Sequence, residues 1–175
     1  RMTVTIMTQV LDALDYAHRQ NIIHRDIKPG NVLIESHSKR PIVLDFGIAR
    51  VTRGLEGESS SILGTPVYMP PEQIRNETVD RRADIYASGM MLFEMIVSDL
   101  PLPRIDPIEL LLLKLKAGDH LFKKKPSEMN PLFYPDMDRI VLKAISFNPE
   151  DRFASCSEFR EALLDYEGRH LLGIR

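Results

Sequence analysis

Ile22-Ile23-His24-Arg25-Asp26-Ile27-Lys28-Pro29-Gly30-Asn31-Val32-Leu33-Ile34, followed by Ile42-Val43-Leu44-Asp45-Phe46-Gly47, is the stretch on which the fold turns. Its apolar residues fall into three short runs rich in β-branched side chains, 22–23, 32–34 and 42–44. The residues between the last two runs, Glu35 to Pro41, are polar and turn-like, so those runs are expected to pair as a small antiparallel ribbon. Around the ribbon stand Asp26, Lys28, Asn31 and Asp45. A ribbon that folds back on itself brings Asn31, at the entrance of one strand, close to Asp45, at the exit of the other. A carboxamide and a carboxylate at a strand end make an oxygen site for a hard divalent cation such as Mg²⁺, with room for phosphate oxygens. Lys28 is an ammonium point charge suited to a phosphate. Taken singly, Asp26 and Asn31 are also residues that cap turns; the combination is what points to chemistry.

Outward from this stretch the period changes to that of helices. Ile6, Met7, Val10, Leu11, Leu14 and Ala17 fall on one face of a first helix, which Asn21 can stop. Asp45 to Glu72 has no sustained periodicity and reads as a long loop, functional rather than accidental in a domain this size. Asp84 to Val97 is apolar on nearly all sides, the mark of a buried central helix whose methionines fill core space. Asp106-Pro107-Ile108-Glu109 opens another helix, running to about Lys116. Met137, Ile140, Val141, Ala144 and Ile145 give an amphipathic segment, and Ser155 with Glu158 forms a capping box before a last helix. The expected fold class is mainly α with a small β ribbon.

Composition narrows the functions. With 23 Lys+Arg against 25 Asp+Glu, a net charge of −2 excludes a strongly basic nucleic-acid binder. The 175 residues, 43% of them hydrophobic, are enough for one sizeable core. The single cysteine, Cys156, excludes a disulfide framework and a paired-cysteine zinc site, and fits a reducing compartment. The histidines lack metal-ligand spacing; His120 and His170 read as surface side chains, and Lys123-Lys124-Lys125 as a solvated run. No run approaches the ~18 apolar residues of a membrane span.

His24-Arg25-Asp26, then Asn31 five residues after the Asp, then Asp45-Phe46-Gly47 fourteen residues after the Asn, resemble the catalytic loop and metal-binding motif of the eukaryotic-type protein kinases. Lys28 resembles the serine/threonine branch, and the stretch from Tyr16 to Arg50 resembles the bacterial members. Gly64-Thr65-Pro66-Val67-Tyr68-Met69-Pro70-Pro71-Glu72 resembles the end of the activation segment, with Pro70 where the family usually has Ala. Asp84 to Gly89 resembles the start of the central helix, with Tyr86 where Trp is commoner, and Asn148 to Arg152 resembles the segment whose Arg pairs with Glu72. The resemblance covers essentially the whole chain but only the larger, C-terminal lobe. The Gly-rich cover, strand Lys and helix Glu of the smaller lobe have no counterpart here.

What the resemblance implies, residue by residue, is a Ser/Thr kinase using ATP and Mg²⁺. Asp26 accepts the substrate's hydroxyl proton; an ordinary carboxylate, with pKa near ~4, orients the nucleophile and takes the proton late. Asn31 and Asp45 hold Mg²⁺. Lys28 lies by the transferred phosphate, Thr65 packs by Asp26 and Lys28, and Leu33 lies under the adenine. His24 and Phe46 are buried spine residues, with Gly47 closing the metal motif. Asp84 accepts backbone N–H groups of the 24–31 loop, and Glu72 with Arg152 forms a buried pair. Arg25 could dock a phosphate on Thr52, Ser59, Ser60 or Ser61; the three serines also read as flexible filler. The kinase lobe is expected over 1–167, with the activation segment at 45–72 and a tail or linker at 168–175. The expected partners are Ser/Thr-bearing protein substrates and the missing lobe, in a cytoplasmic protein anchored, if at all, through a segment outside this chain. The alternative is a truncated, catalytically silent binding module with the same fold.

Overall fold

The structure is a computed structural model, and it describes residues 2–46 and 66–170. Gly47, Thr52, Ser59, Ser60, Ser61 and Thr65 lie outside the described residues, as does most of the expected tail.

Helix α1 (Met2–Arg19) buries Val4, Met7, Val10, Leu11, Leu14 and Ala17. It stops where Asn21 takes a left-handed φ of 59°, so that Asn21 N donates to His18 O and Ile22 N to Ala17 O, both at 3.0 Å. The run Ile22-Ile23 then stays irregular; the described sheet has only two strands. Its backbone carries the chain to an acid on the central helix instead of to a strand partner.

The ribbon pairs β1 (Val32–Ile34) with β2 (Pro41–Val43), antiparallel, in the register Val32–Val43, Leu33–Ile42 and Ile34–Pro41. The polar connection closes through Glu35 N to Arg40 O at 3.0 Å and Lys39 N to Glu35 O at 2.9 Å, with Lys39 in the left-handed region. Leu44, the last residue of the third apolar run, lies one step past the strand and donates its N–H to Asn31 O at 2.8 Å.

After a short helix α2 (Pro71–Ile74), helix α3 (Arg82–Val97) buries every residue from Ala83 to Phe93. Helix α1 lies against α3 and against the last helix, so α3 is the strut of the core. Gly89 lets it approach its neighbour: a Cβ there would stand 2.7 Å from Ala144 Cβ and 2.8 Å from Ile145 Cγ2.

Helix α4 (Pro107–Ala117) begins where Asp106 accepts from Ile108 N at 2.8 Å. Helices α5 (Pro126–Met129), α6 (Pro135–Ala144) and α7 (Cys156–His170) complete the bundle. Ser155 Oγ caps Glu158 N at 3.1 Å, but Glu158 reaches Ala154 N at 2.7 Å instead of closing the box on Ser155. Helix α7 continues past residue 168, where the sequence reads as a tail, because Tyr166 is fully buried and anchors it. His170, read as a surface side chain, stacks on Tyr134 at 4.3 Å between ring centroids and bonds Asp136 Oδ2 at 3.1 Å. The fold is mainly helical with one small two-stranded antiparallel sheet. No helix among the described residues is long and apolar enough to cross a membrane.

Candidate active site

The 24–31 loop is held from behind by one carboxylate. Asp84, fully buried in the first turn of α3, accepts His24 N at 2.9 Å and His18 Nε2 at 2.7 Å on Oδ2, and Arg25 N at 2.8 Å on Oδ1. Arg25 sits at φ 66°, a left-handed conformation unfavourable for a residue with a β-carbon. The Asp84 bonds on either side hold it there.

His24 continues the scaffold forward. Its Nε2–H donates to Leu44 O at 2.7 Å, and its Nδ1 accepts Asp26 N at 3.3 Å, which together select the neutral Nε2–H tautomer. His24 is fully buried, and its ring meets Phe46 with centroids 4.8 Å apart. Phe46 itself is half-buried, short of the buried spine residue the resemblance implies; it is the last described residue before position 66, and only His24 backs it among ring contacts described.

On this frame three predicted residues come together. Lys28 Nζ donates to Asp26 Oδ2 at 2.8 Å, and Asn31 Nδ2 donates to the same oxygen at 3.1 Å and to Asp26 O at 2.7 Å. Both side-chain donors choose Oδ2, so among the described residues Oδ1 is the oxygen left to accept from outside. Asp26 and Lys28 are one-third and one-quarter exposed, open enough to meet a ligand and to weaken their own ion pair. Asn31 is buried in the turn Pro29–Asn31 that leads into β1.

Asp45 leaves β2 on the residue after Leu44, whose N–H is bonded to Asn31, and it is exposed with φ 54°. Asn31 spends its NH₂ on Asp26, which leaves the carboxamide oxygen for a cation. A neutral oxygen and a carboxylate on neighbouring backbone suit Mg²⁺, which keeps most of its shell as water and phosphate. No cluster of three or more His, Cys, Asp or Glu with metal-binding geometry exists among the described residues, so a closed all-protein site is not built there. Leu33 is half exposed on β1, an apolar surface beside these groups.

Two further fastenings hold the segment after the long loop. Arg152, with a fully buried side chain, meets Glu72 through Nη1–Oε1 at 2.7 Å and Nη2–Oε2 at 2.8 Å. Its remaining N–H groups donate to Ser146 O, Arg82 O and Phe147 O, so all five guanidinium donors are used. Tyr68 OH donates to Glu94 of α3, and burial with this carboxylate pushes the phenol's pKa well up.

Sequence reasoning missed His18, Glu94 and Lys114. His18 is on the apolar helix α1 at its polar edge, and Cys156 Sγ lies 3.7 Å from its Nδ1. Lys114 is buried, whereas Leu112 in the same run of leucines and lysines is exposed. No local pattern distinguishes these from ordinary helix polar residues; their partners are 26 to 138 positions away.

Comparison with known proteins agrees with the geometry. The protein kinase domain family matches residues 1–163. Serine/threonine-protein kinase PknB of Mycolicibacterium smegmatis is 34% identical over 169 residues, covering 94% of this chain and 26% of its own length. The probable serine/threonine-protein kinase SCO3848 of Streptomyces coelicolor is 37% identical, over 93% of this chain and 24% of its own. Serine/threonine-protein kinase pkn3 of Myxococcus xanthus is 36% identical, over 96% of this chain and 32% of its own. The chain thus spans a quarter to a third of these relatives. With a loop that gathers Asp26, Lys28 and Asn31 over a buried Asp84, and with relatives of this kind along nearly its whole length, the chain belongs to the protein kinase domain family, of the bacterial serine/threonine type.

Proposed function

We propose that this chain is the C-terminal lobe of a Ser/Thr protein kinase that transfers the γ-phosphoryl group of ATP to serine and threonine hydroxyls of protein substrates. The observation that carries the reading is the convergence of Lys28 Nζ and Asn31 Nδ2 on Asp26 Oδ2, which fixes that carboxylate and, among the described residues, leaves Oδ1 to take a hydroxyl.

In this reading Asp26 orients the substrate hydroxyl and accepts its proton as the O–P bond forms. Lys28 neutralises charge on the transferred phosphoryl group. Asn31 and Asp45 would hold Mg²⁺, which supplies charge neutralisation on the bridging phosphate oxygens. Leu33 gives the adenine an apolar floor. The family pattern would put Thr65 by Asp26 and Lys28 and would let Arg25 receive a phosphate placed on Ser59, Ser60 or Ser61, four residues outside those described. These assignments follow the family pattern and the positions of Asp26, Lys28, Asn31, Leu33 and Asp45.

The test is Asp26→Asn in the full reading frame that contains this chain, assayed with labelled ATP and a generic basic protein. Transfer should fall about a thousandfold or more, with an unchanged thermal midpoint. The variant keeps the Lys28 and Asn31 contacts within reach but loses the proton acceptor. Retained transfer, or a wild-type protein that transfers nothing while binding partners, overturns the reading in favour of a silent binding module.

A further inference from the structure

Lys114 is one of the largest fully buried side chains in the described residues, at 1% exposure, and the chemistry above makes no use of it. It sits in the last turn of α4, where its apolar stem crosses the core side of the helix. Its Nζ donates to three carbonyls of one short segment: Pro66 O at 3.0 Å, Val67 O at 2.8 Å and Met69 O at 2.6 Å. An ammonium has three N–H donors, so each is used and each is spent on the same strand of chain. The ring of Tyr86 lies 5.1 Å away, and Arg152 stands 4.9 Å from that same ring.

Burying an ammonium is costly, and this one is charge-compensated only at a distance, by Glu72, against which Arg152 works. A leucine at this position, as at neighbouring positions of α4, would bury no ammonium. What the cost obtains is a fixed course for residues 66–69. Three carbonyls turned inward to one nitrogen leave the opposite edge of the segment, half-buried, to face outward. Pro70 and Pro71 stiffen the exit, and Glu72, on its pair with Arg152, fixes the end.

We propose that Lys114 is a positioning residue for the protein substrate: by holding the carbonyls of Pro66, Val67 and Met69 it sets the edge on which the substrate's backbone lies when its hydroxyl meets Asp26. This rests on the kinase reading, in which the stretch 64–72 ends the activation segment and borders the acceptor hydroxyl. Lys114 touches neither nucleotide nor hydroxyl. Its removal therefore acts on the peptide and leaves the nucleotide alone.

The experiment compares wild type with Lys114→Met in the full reading frame, using labelled ATP and a positional peptide array bearing one Ser or Thr per peptide. Lys114→Met keeps the apolar stem and removes the three donors. The KM for peptide should rise about tenfold, with flattened preference around the acceptor, while the KM for ATP stays within about twofold. Should Lys114→Met not fold, Lys114→Gln, which keeps two donors, should show the same split at about two- to threefold. An unchanged peptide KM, or KM values for peptide and ATP that rise together, overturns the proposal. A wild type silent on every peptide overturns the kinase reading and the substrate role with it. In that event hydrogen exchange at amides 67–69 of this chain still reports whether Lys114 holds the segment: faster exchange in Lys114→Met than in wild type keeps the anchor, and equal exchange removes it.

Discussion

The front of the molecule and its rear solve opposite problems with the same polar chemistry. In front, Asp26 and Lys28 are one-third and one-quarter exposed, and the Asp26 carboxylate carries both of its side-chain partners among the described residues on one oxygen. Behind, Asp84, Glu72, Arg152 and Lys114 are all 4% exposed or less, and their donors and acceptors are taken up within the chain. A group that must meet a ligand is kept partly hydrated and underused. A group that must hold a loop in place is buried and fully bonded, because an unmatched polar group there would cost the fold directly. The lesson is that polar character alone does not mark a site; unspent bonding capacity near solvent does.

The sharpest way to break the contrast is to unpair the rear. Arg152→Met leaves the Glu72 carboxylate buried without a partner and three carbonyls without donors, and should cost about 3–5 kcal/mol in denaturant unfolding. Arg160, by comparison, meets an Asp12 carboxylate that is 70% exposed, and Asp12→Ala should cost no more than about 1 kcal/mol. Similar losses for the two would mean that the rear pair is no more than a surface pair under cover. Arg152→Lys should fall near Arg152→Met, since an ammonium cannot reproduce five donors in a fork.

A smaller effect tests the core between these regions. Gly89→Ala would place a Cβ within 2.7 Å of Ala144 Cβ and 2.8 Å of Ile145 Cγ2, both on the packed contact of α3 with the end of α6. Helix propensity favours Ala by about 1 kcal/mol, but overpacking of about 1–3 kcal/mol should win, lowering the thermal midpoint. A rise in midpoint would show that α6 can move away at little cost.

Much of this was legible from residues alone. The buried helix announced itself because its sequence is apolar on all sides, and the ribbon because two β-branched runs flank a polar turn. Three of the last four helices were readable from the Asp106 cap, the 137–145 spacing and the Ser155 cap, with the reciprocal half of the box misplaced and the short helix Pro126–Met129 unread. Ile22-Ile23, the β-branched run left out of the expected ribbon, forms no strand, and the backbone amides that follow it are committed to Asp84. Phe46 and His170 misled because burial depends on what the remainder of the chain brings, Tyr134 and Asp136 for one, His24 for the other. Lys114 and His18 were invisible because their roles lie in contacts with segments distant along the chain. Pattern reading sees period and spacing; it does not see which of several lysines the fold turns inward.

Lys114 also gives the rear a pH signature. Burial, with the Arg152 guanidinium adding to it and Glu72 opposing, lowers its pKa from an ordinary 10.5 to about 7. The other titratable group against it, the Tyr86 phenol, is pushed up by its own burial and stays neutral across that range. Between the two values the unfolded chain binds a proton that the native chain has shed, so native stability rises with pH, by on the order of 1 kcal/mol per pH unit. Below about pH 7 both states hold the proton and the contribution is level at its lowest. The unfolding free energy of wild type, less that of Lys114→Met, should therefore be flat from about pH 6 to 7 and climb toward about pH 10. The three carbonyls pull the other way, since they are matched fully only by the ammonium. A difference that stays level throughout would mean that they outweigh burial and that the cation persists at high pH. Lys114 would then hold residues 66–69 as a permanent charge, and the tie between the segment and solvent pH would be absent.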